Sequence, residues 1–473
     1  MIIEFLISTW FFFSGYLLVF HFFEKKNNIN CLIFSYPIST VITVIYLQII
    51  SILGFEITGK ALIFCEAIKL IGLIKFQFKL EFINFKYLLF ILLVLFFPYF
   101  LIPWITHDSA MFSLYSNIIQ NSNILNYPEA GLVSYGFFLS CLNAFYNNFT
   151  NSPFSVSITF LFGISFLIML ISIFIQIFEK KNVNLNLLLI FLIILSTPLF
   201  ALGFIYFHNN LISSFFLFGI YMFLQKYFLN KEKFNDFLIF LLIVGFISSR
   251  MENGIIFSIF TLFILINFKE ILISKLGVYC GIFYSYLWYS LILFKSFEYS
   301  GVILSPKTTI IILISLFVLN ICLIFDLYLK KFSNLLNEKA IFILLLVIFF
   351  VPFLFFPING FSSISSLAIN AGGGIGKWGI FWYMFLILFF ITDSNLLKKN
   401  YPSKQNFRVI ILNITLMIFV LIFIMSFFRV PYRLGYGDSG NRLMITVFPF
   451  AVHYILICLS VLKNKKGSFF FTK

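Results

Sequence analysis

Apolar runs recur along the whole chain, separated by short polar or charged segments. Many approach the roughly 20 residues a helix needs to cross a bilayer. Ile2–Phe23, Cys31–Phe55, a weaker Ala61–Ile74 that carries Glu66 and Lys69, and Tyr87–Thr106 come first. After a polar stretch follow Pro153–Phe178, Leu185–Phe207, Leu211–Leu229, Phe237–Ser248, Gly254–Phe268, Leu276–Phe294, Thr309–Leu329, Ala340–Ile358, Trp378–Thr392, Val409–Phe428 and Leu443–Leu462. A soluble core cannot absorb that much apolar surface. The chain is 62% hydrophobic and only 10% charged, where a soluble domain carries about 25% charged residues. The expectation is an all-α, polytopic transmembrane bundle of about 13–15 spans.

Charge orients the bundle. With the N-terminus outside, 24 of the 32 Lys and Arg fall in cytoplasmic segments, as the positive-inside rule requires. The C-terminus is then cytoplasmic. The net charge of +15 is thereby accounted for by membrane topology, and nucleic acid is not an expected partner. MIIEFLISTW has no basic segment ahead of its apolar run and reads as a retained first span. The six Cys are scattered through apolar runs with no paired spacing, which suits small core residues. Residues 1–86 read as N-terminal spans, 87–462 as the region that carries the chemistry, and 463–473 as a short cytoplasmic tail.

Polar character concentrates on the outer side. The longest such stretch, Trp104–Gly131, opens with His107-Asp108 and ends with Tyr127-Pro128-Glu129. Met111, Leu114, Tyr115 and Ile118 are three and four apart, so Ser109–Gln120 is expected to be an amphipathic interfacial helix. Asp108 is then either that helix's N-cap or a functional carboxylate. His208-Asn209-Asn210 forms a tight turn between two runs, and Arg250-Met251-Glu252-Asn253 another. Arg250 and Glu252 either pair with each other or serve a ligand. Arg429–Arg442 holds three Arg, Asp438 and two Tyr. Four of the five Arg lie outside. Arg makes planar bidentate contacts to phosphate that Lys cannot. Gly374–Gly379 fits G-x-G-x-x-G but follows no strand, so it is not a dinucleotide site. Asn359–Gly376 reads as a flexible outer loop over a cavity.

The order of apolar run, Asp108, amphipathic helix, Tyr127-Pro128 and a second weakly apolar helix (Leu132–Tyr146) resembles the first outer loop of the GT-C glycosyltransferases. These polytopic enzymes use polyprenyl-phosphate sugars. The resemblance covers Tyr87–Leu229, with a weaker echo at Arg442 ahead of the last run. It implies membrane-parallel helices in the outer loop 107–152 and a glycosyl transfer on the non-cytoplasmic face of a bacterial plasma membrane. It implies Asp108 as base or acceptor-orienting residue and Arg442 on the carrier phosphate. His107, Tyr127, Glu129, His208, Asn209, Arg250, Glu252, Arg433 and Asp438 are the further expected substrate contacts. The acceptor would be a lipid, glycan or protein. Many members have two adjacent acids where this chain has His107-Asp108, so a divalent metal is unsupported and no cofactor is assigned. A lipid-linked saccharide flippase or transporter, or a surface-polysaccharide polymerase or ligase, are the competing readings.

Overall fold

The computed structural model describes residues 2–22, 28–75, 85–120, 122–123, 125, 136–178, 197–230, 235–250, 252–268, 275–300, 338–392, 407–428, 434–435 and 438–470. Tyr127, Glu129 and Arg433, the run Thr309–Leu329 and most of Leu185–Phe207 lie outside these residues. Among the described residues the elements are helices, and the single extended pairing is an isolated parallel bridge between Trp104 and Tyr206.

The helices are α1 (Ile2–Phe22), α2 (Asn28–Ile52), α3 (Gly59–Lys75), α4 (Phe85–Phe96), α5 (His107–Ile119), α6 (Phe137–Thr150) and α7 (Val156–Phe178). Then come α8 (Pro198–Gly203), α9 (Asn209–Asn230), α10 (Asp236–Ser249), α11 (Asn253–Phe268) and α12 (Leu276–Ser300). The last group is α13 (Glu338–Phe355), α14 (Pro357–Gly372), α15 (Phe381–Ile391), α16 (Phe407–Phe428), α17 (Ser439–Leu443) and α18 (Phe448–Phe470). Four of them contain stretches long and apolar enough to cross a membrane: Ile2–Phe20, Ile29–Ile52, Val156–Ile177 and Ile410–Phe427. Ser439–Thr446 and Phe448–Ser460 form a fifth if the two, bent by 51°, are one broken span. The described helices are therefore those of an integral membrane protein, and fewer qualify as unbroken spans than the apolar runs suggest.

Proline explains two of the differences. The run Tyr87–Thr106 is not one helix: α4 ends at Phe96 and a 3-10 turn, Phe97–Phe100, follows around Pro98. Pro103 then holds the next residues extended, because the residue before a proline avoids the helical region. Pro449 lies just past the bend between α17 and α18, and a helix interior tolerates proline only with a kink. The third difference is α14. Asn359–Gly376, expected as a flexible loop, is largely helix. Ser363, Ser366 and Asn370 face inward while Ile358, Phe361 and Ile369 are exposed, which is helical spacing with the polar side toward the protein.

α1 and α2 pack along each other, α2 packs on α7, and α9, α10 and α12 form a second layer. Polar groups join the first three helices. Lys69 Nζ lies 2.6 Å from Glu66 Oε2 and donates to Ser39 Oγ at 3.0 Å. Glu66 also accepts from Trp10 Nε1 at 2.5 Å and Thr43 Oγ1 at 2.7 Å. Every member thus has partners, which is the condition for burying charge in an apolar bundle.

Candidate active site

The site is built where the broken end of α4 meets the broken start of α9. Leu101–Thr106 is extended, and the Trp104 N–H donates to the Ile205 carbonyl at 2.9 Å. In extended backbone residues i and i+2 share a face. Tyr206 and His208 accordingly lie on one side, with their rings stacked 5.1 Å apart at 14°. The chain then turns into α5. Thr106 is its N-cap: its Oγ1 accepts from the Ser109 N–H at 3.4 Å, and Ser109 Oγ accepts from the Thr106 N–H at 3.2 Å. This reciprocal capping box leaves Asp108 free of the capping role. It sits instead in the first turn of α5, where the helix dipole favours its ionised form.

Arg442 reaches the same point from the other end of the chain. Asp438 caps α17 by accepting from the Asn441 N–H at 2.8 Å, and it also accepts from Asn370 Nδ2 of α14 at 3.3 Å. Asn441 Oδ1 accepts from Trp378 Nε1 at 2.6 Å. The backbone beneath Arg442 is thereby fixed on two sides, and Asp438 is engaged as a cap. Arg442 Nη1 donates to Asp108 Oδ2 and to the Tyr206 hydroxyl at 2.8 Å. Nη2 makes only a long 3.4 Å contact to Ser439 Oγ. Nε is buried with no hydrogen-bond partner among the described residues. One edge of the guanidinium is therefore used, and the adjoining Nε/Nη2 edge, the fork that receives oxyanions in pairs, is nearly unused.

Tyr206 and His208 complete the cluster. Burial pushes the Tyr206 phenol up, and Arg442 pulls it back only in part, so it stays neutral. As it accepts from Arg442, its own proton is available to Thr106 Oγ1 at 3.1 Å. His208 Nδ1 accepts from the Asn210 N–H at 3.2 Å. That contact assigns the neutral ring's proton to Nε2, the nitrogen facing Asp108 Oδ2 at 3.7 Å. Phe112 of α5 packs edge-on against the ring at 5.3 Å and limits its rotation.

Behind His208 lies a second charged group. Arg250 Nη1 donates to Asn210 Oδ1, and its Nη2 to Glu252 Oε1 at 3.2 Å. Both charged side chains are buried. Asn253 Nδ2 closes the turn onto the Phe246 carbonyl at 2.7 Å. Gly136, at φ +83°, lies so close that a Cβ there would be 2.2 Å from the Ser249 carbonyl oxygen. Arg250 and Glu252 thus pair with each other and brace the His208–Asn210 turn.

Of the expected site residues, Asp108, His208 and Arg442 come together directly, and Arg250 and Glu252 adjoin them through Asn210. Asn209 is buried at the start of α9. His107 is exposed on α5 and takes no part in the Asp108–His208 and Asp108–Arg442 pairings. Tyr206, Thr106 and Asn210 were missed by sequence reasoning. Their signal was the i, i+2 spacing of Tyr206 and His208, hidden because Leu185–Phe207 reads as one apolar run. Among the described residues no three His, Cys, Asp or Glu side chains gather as a metal site. A small apolar crevice of about 10 Å³ lies between α11 and α16, lined by Ile256, Phe260, Met417 and Leu421 among others. No protein-family model, no curated protein and no solved structure matches this chain.

Proposed function

We propose that the chain is a polytopic membrane glycosyltransferase, with its N-terminus outside and its site on the outer face of a bacterial plasma membrane. It moves a sugar from a polyprenyl-phosphate carrier to an acceptor hydroxyl on a lipid, glycan or protein. The observation that carries this reading is the Arg442–Asp108 contact, made between residues 334 positions apart. It joins a carboxylate suited to an acceptor hydroxyl and a guanidinium suited to a phosphate.

In this reading the acceptor oxygen attacks the anomeric carbon, and its proton passes to Asp108. The bond from the anomeric carbon to the phosphate oxygen breaks, and the phosphate leaves with the electron pair. Arg442 stabilises that growing negative charge in a site with little water. The displacement inverts the anomeric centre. His208 Nε2–H and Tyr206 hold the two groups in register. A transporter reading finds its best support in Glu66 and Lys69, but these are fully engaged with local partners and line no described cavity.

Asp108→Asn, purified from membranes and assayed with a polyprenyl-phosphate sugar, is expected to lose about 10³-fold in turnover. Its insertion should match wild type, and its melting should lie much closer to wild type than that of Asp108→Ala. Turnover near the wild-type rate would remove Asp108 from the chemistry.

A further inference from the structure

The charge balance of the site is incomplete for the ligand just proposed. Arg442 is already opposed by Asp108 and Arg250 by Glu252. An arriving phosphate carries at least one negative charge, and both arginines described in the cluster are already balanced. Lys377 supplies a further cation. It is exposed, and no carboxylate among the described residues pairs with it.

Three observations tie Lys377 to the site. Its loop is clamped beside Arg442: Trp378 Nε1 donates to Asn441 Oδ1 at 2.6 Å, and Asn441 Nδ2 donates to the Gly376 carbonyl at 3.2 Å. Its ammonium lies 4.6 Å from the centre of the Trp104 ring, and Trp104 is bridged to Tyr206, whose hydroxyl accepts from Arg442. Its backbone is left-handed, at φ +60°, a conformation that L residues with a Cβ rarely adopt. Gly374 and Gly379 in the same loop take the same hand at φ +76° and +58°. Glycine would suit position 377 as well, so the backbone there does not itself call for a side chain.

We propose that Lys377 is a second cation of the anion site, holding the carrier's phosphate from the solvent side while Arg442 holds it from within. This rests on the polyprenyl-phosphate reading above. Trp104 positions the ammonium without neutralising it, since an aromatic face attracts a cation but carries no net charge. Lysine suits this place because a flexible, hydrated point charge can follow a mobile headgroup.

The test uses the full chain in detergent with farnesyl phosphate as probe, and farnesol and inorganic phosphate as controls. Lys377→Gly and Lys377→Gln are expected to weaken farnesyl phosphate binding by about tenfold, or 1.4 kcal/mol, and to flatten its salt dependence. Farnesol binding should not change. Lys377→Gly should melt no lower than wild type, because glycine accepts the left-handed backbone. In turnover, KM should rise with kcat nearly constant. Unchanged farnesyl phosphate affinity in both variants would overturn the role of Lys377 alone. Weakened binding accompanied by a lower melting temperature in both variants would make the residue structural and overturn it too. Inorganic phosphate binding as tightly as farnesyl phosphate would assign the cation to a free anion and refute the carrier. If wild type binds no farnesyl phosphate, the functional reading falls together with this one.

Discussion

Asp108 and Arg442 hold each other, so removing one side strands the other. Arg442 is only 7% exposed. Asp108→Ala would leave a buried guanidinium with Tyr206 and Ser439 as its remaining partners. Breaking a buried pair in this way costs about 3 kcal/mol, and a lower melting temperature in detergent is the expected result. Asp108→Asn keeps the shape and an acceptor oxygen, so it should melt much closer to wild type while losing activity. Arg442→Lys keeps the charge and loses the fork. One ammonium cannot reach Asp108 and Tyr206 and also present two parallel donors. Farnesyl phosphate affinity is expected to fall by at least about tenfold, measured by titration of the purified variant. An affinity equal to wild type would show that the guanidinium's shape is irrelevant. At this scale the sequence was informative about charged groups and silent about their neutral partners. Arg442, His208 and Asp108 stand out against apolar surroundings, whereas Tyr206 is one of 23 tyrosines and only its i, i+2 spacing to His208 marks it.

At the scale of elements, the legible features were those with strong periodicity. α1 and α7 lie within runs evident by composition alone, and α2 and α16 begin only two or three residues ahead of theirs. The misread elements are those interrupted by proline or rich in serine. α14 carries Ser362, Ser363, Ser365 and Ser366, and serine favours turns when read residue by residue. Its helix is stabilised by tertiary partners: Asn370 Oδ1 accepts from the Gly435 N–H at 2.6 Å, and Ser363 Oγ donates to the Phe423 carbonyl at 3.4 Å. The Glu66–Lys69 pair gives a test of how α1, α2 and α3 adhere. Lys69→Met leaves the Glu66 carboxylate with only hydroxyl and indole donors, and a destabilisation of about 3 kcal/mol is expected. The double variant Glu66→Gln/Lys69→Met removes both charges and should recover much of that loss. A double variant that melts lower than Lys69→Met would show that the polar groups themselves, not their balance, join the helices.

For the whole molecule, breaks in several helices occur at one end of the bundle. The end of α4, the start of α9, the end of α10, the start of α11 and the end of α16 meet there. Broken helices expose backbone and polar side chains that an apolar layer excludes, so the polar site and the helix breaks have one physical origin. If that end is the outer face, a Cys placed at His107 in an otherwise Cys-free chain should react with a membrane-impermeant maleimide added outside intact cells. A Cys at Lys226, at the other end of α9, should react only after permeabilisation. The reverse pattern would invert the proposed topology and place the transfer on the cytoplasmic side.

The amino-acid sequence alone determined the solvent. Its apolar runs require a helical membrane protein, because in hydrocarbon each backbone polar group must be bonded within its own segment or barrel. It also marked the end of the bundle where Asp108, His208, Arg250 and Arg442 lie, since ionisable residues beside spans are costly and few. Tertiary structure alone decided how these residues divide their work. Arg250 and Glu252 satisfy each other, Asp438 caps α17, and Arg442 crosses to Asp108 with one donor edge left over. The Arg250–Glu252 pair and the Asp438 cap are local, but the crossing of Arg442 to Asp108 and Tyr206 joins segments hundreds of positions apart. Local propensity and hydropathy have no term for such contacts, so no single-segment reading could have separated the brace from the site.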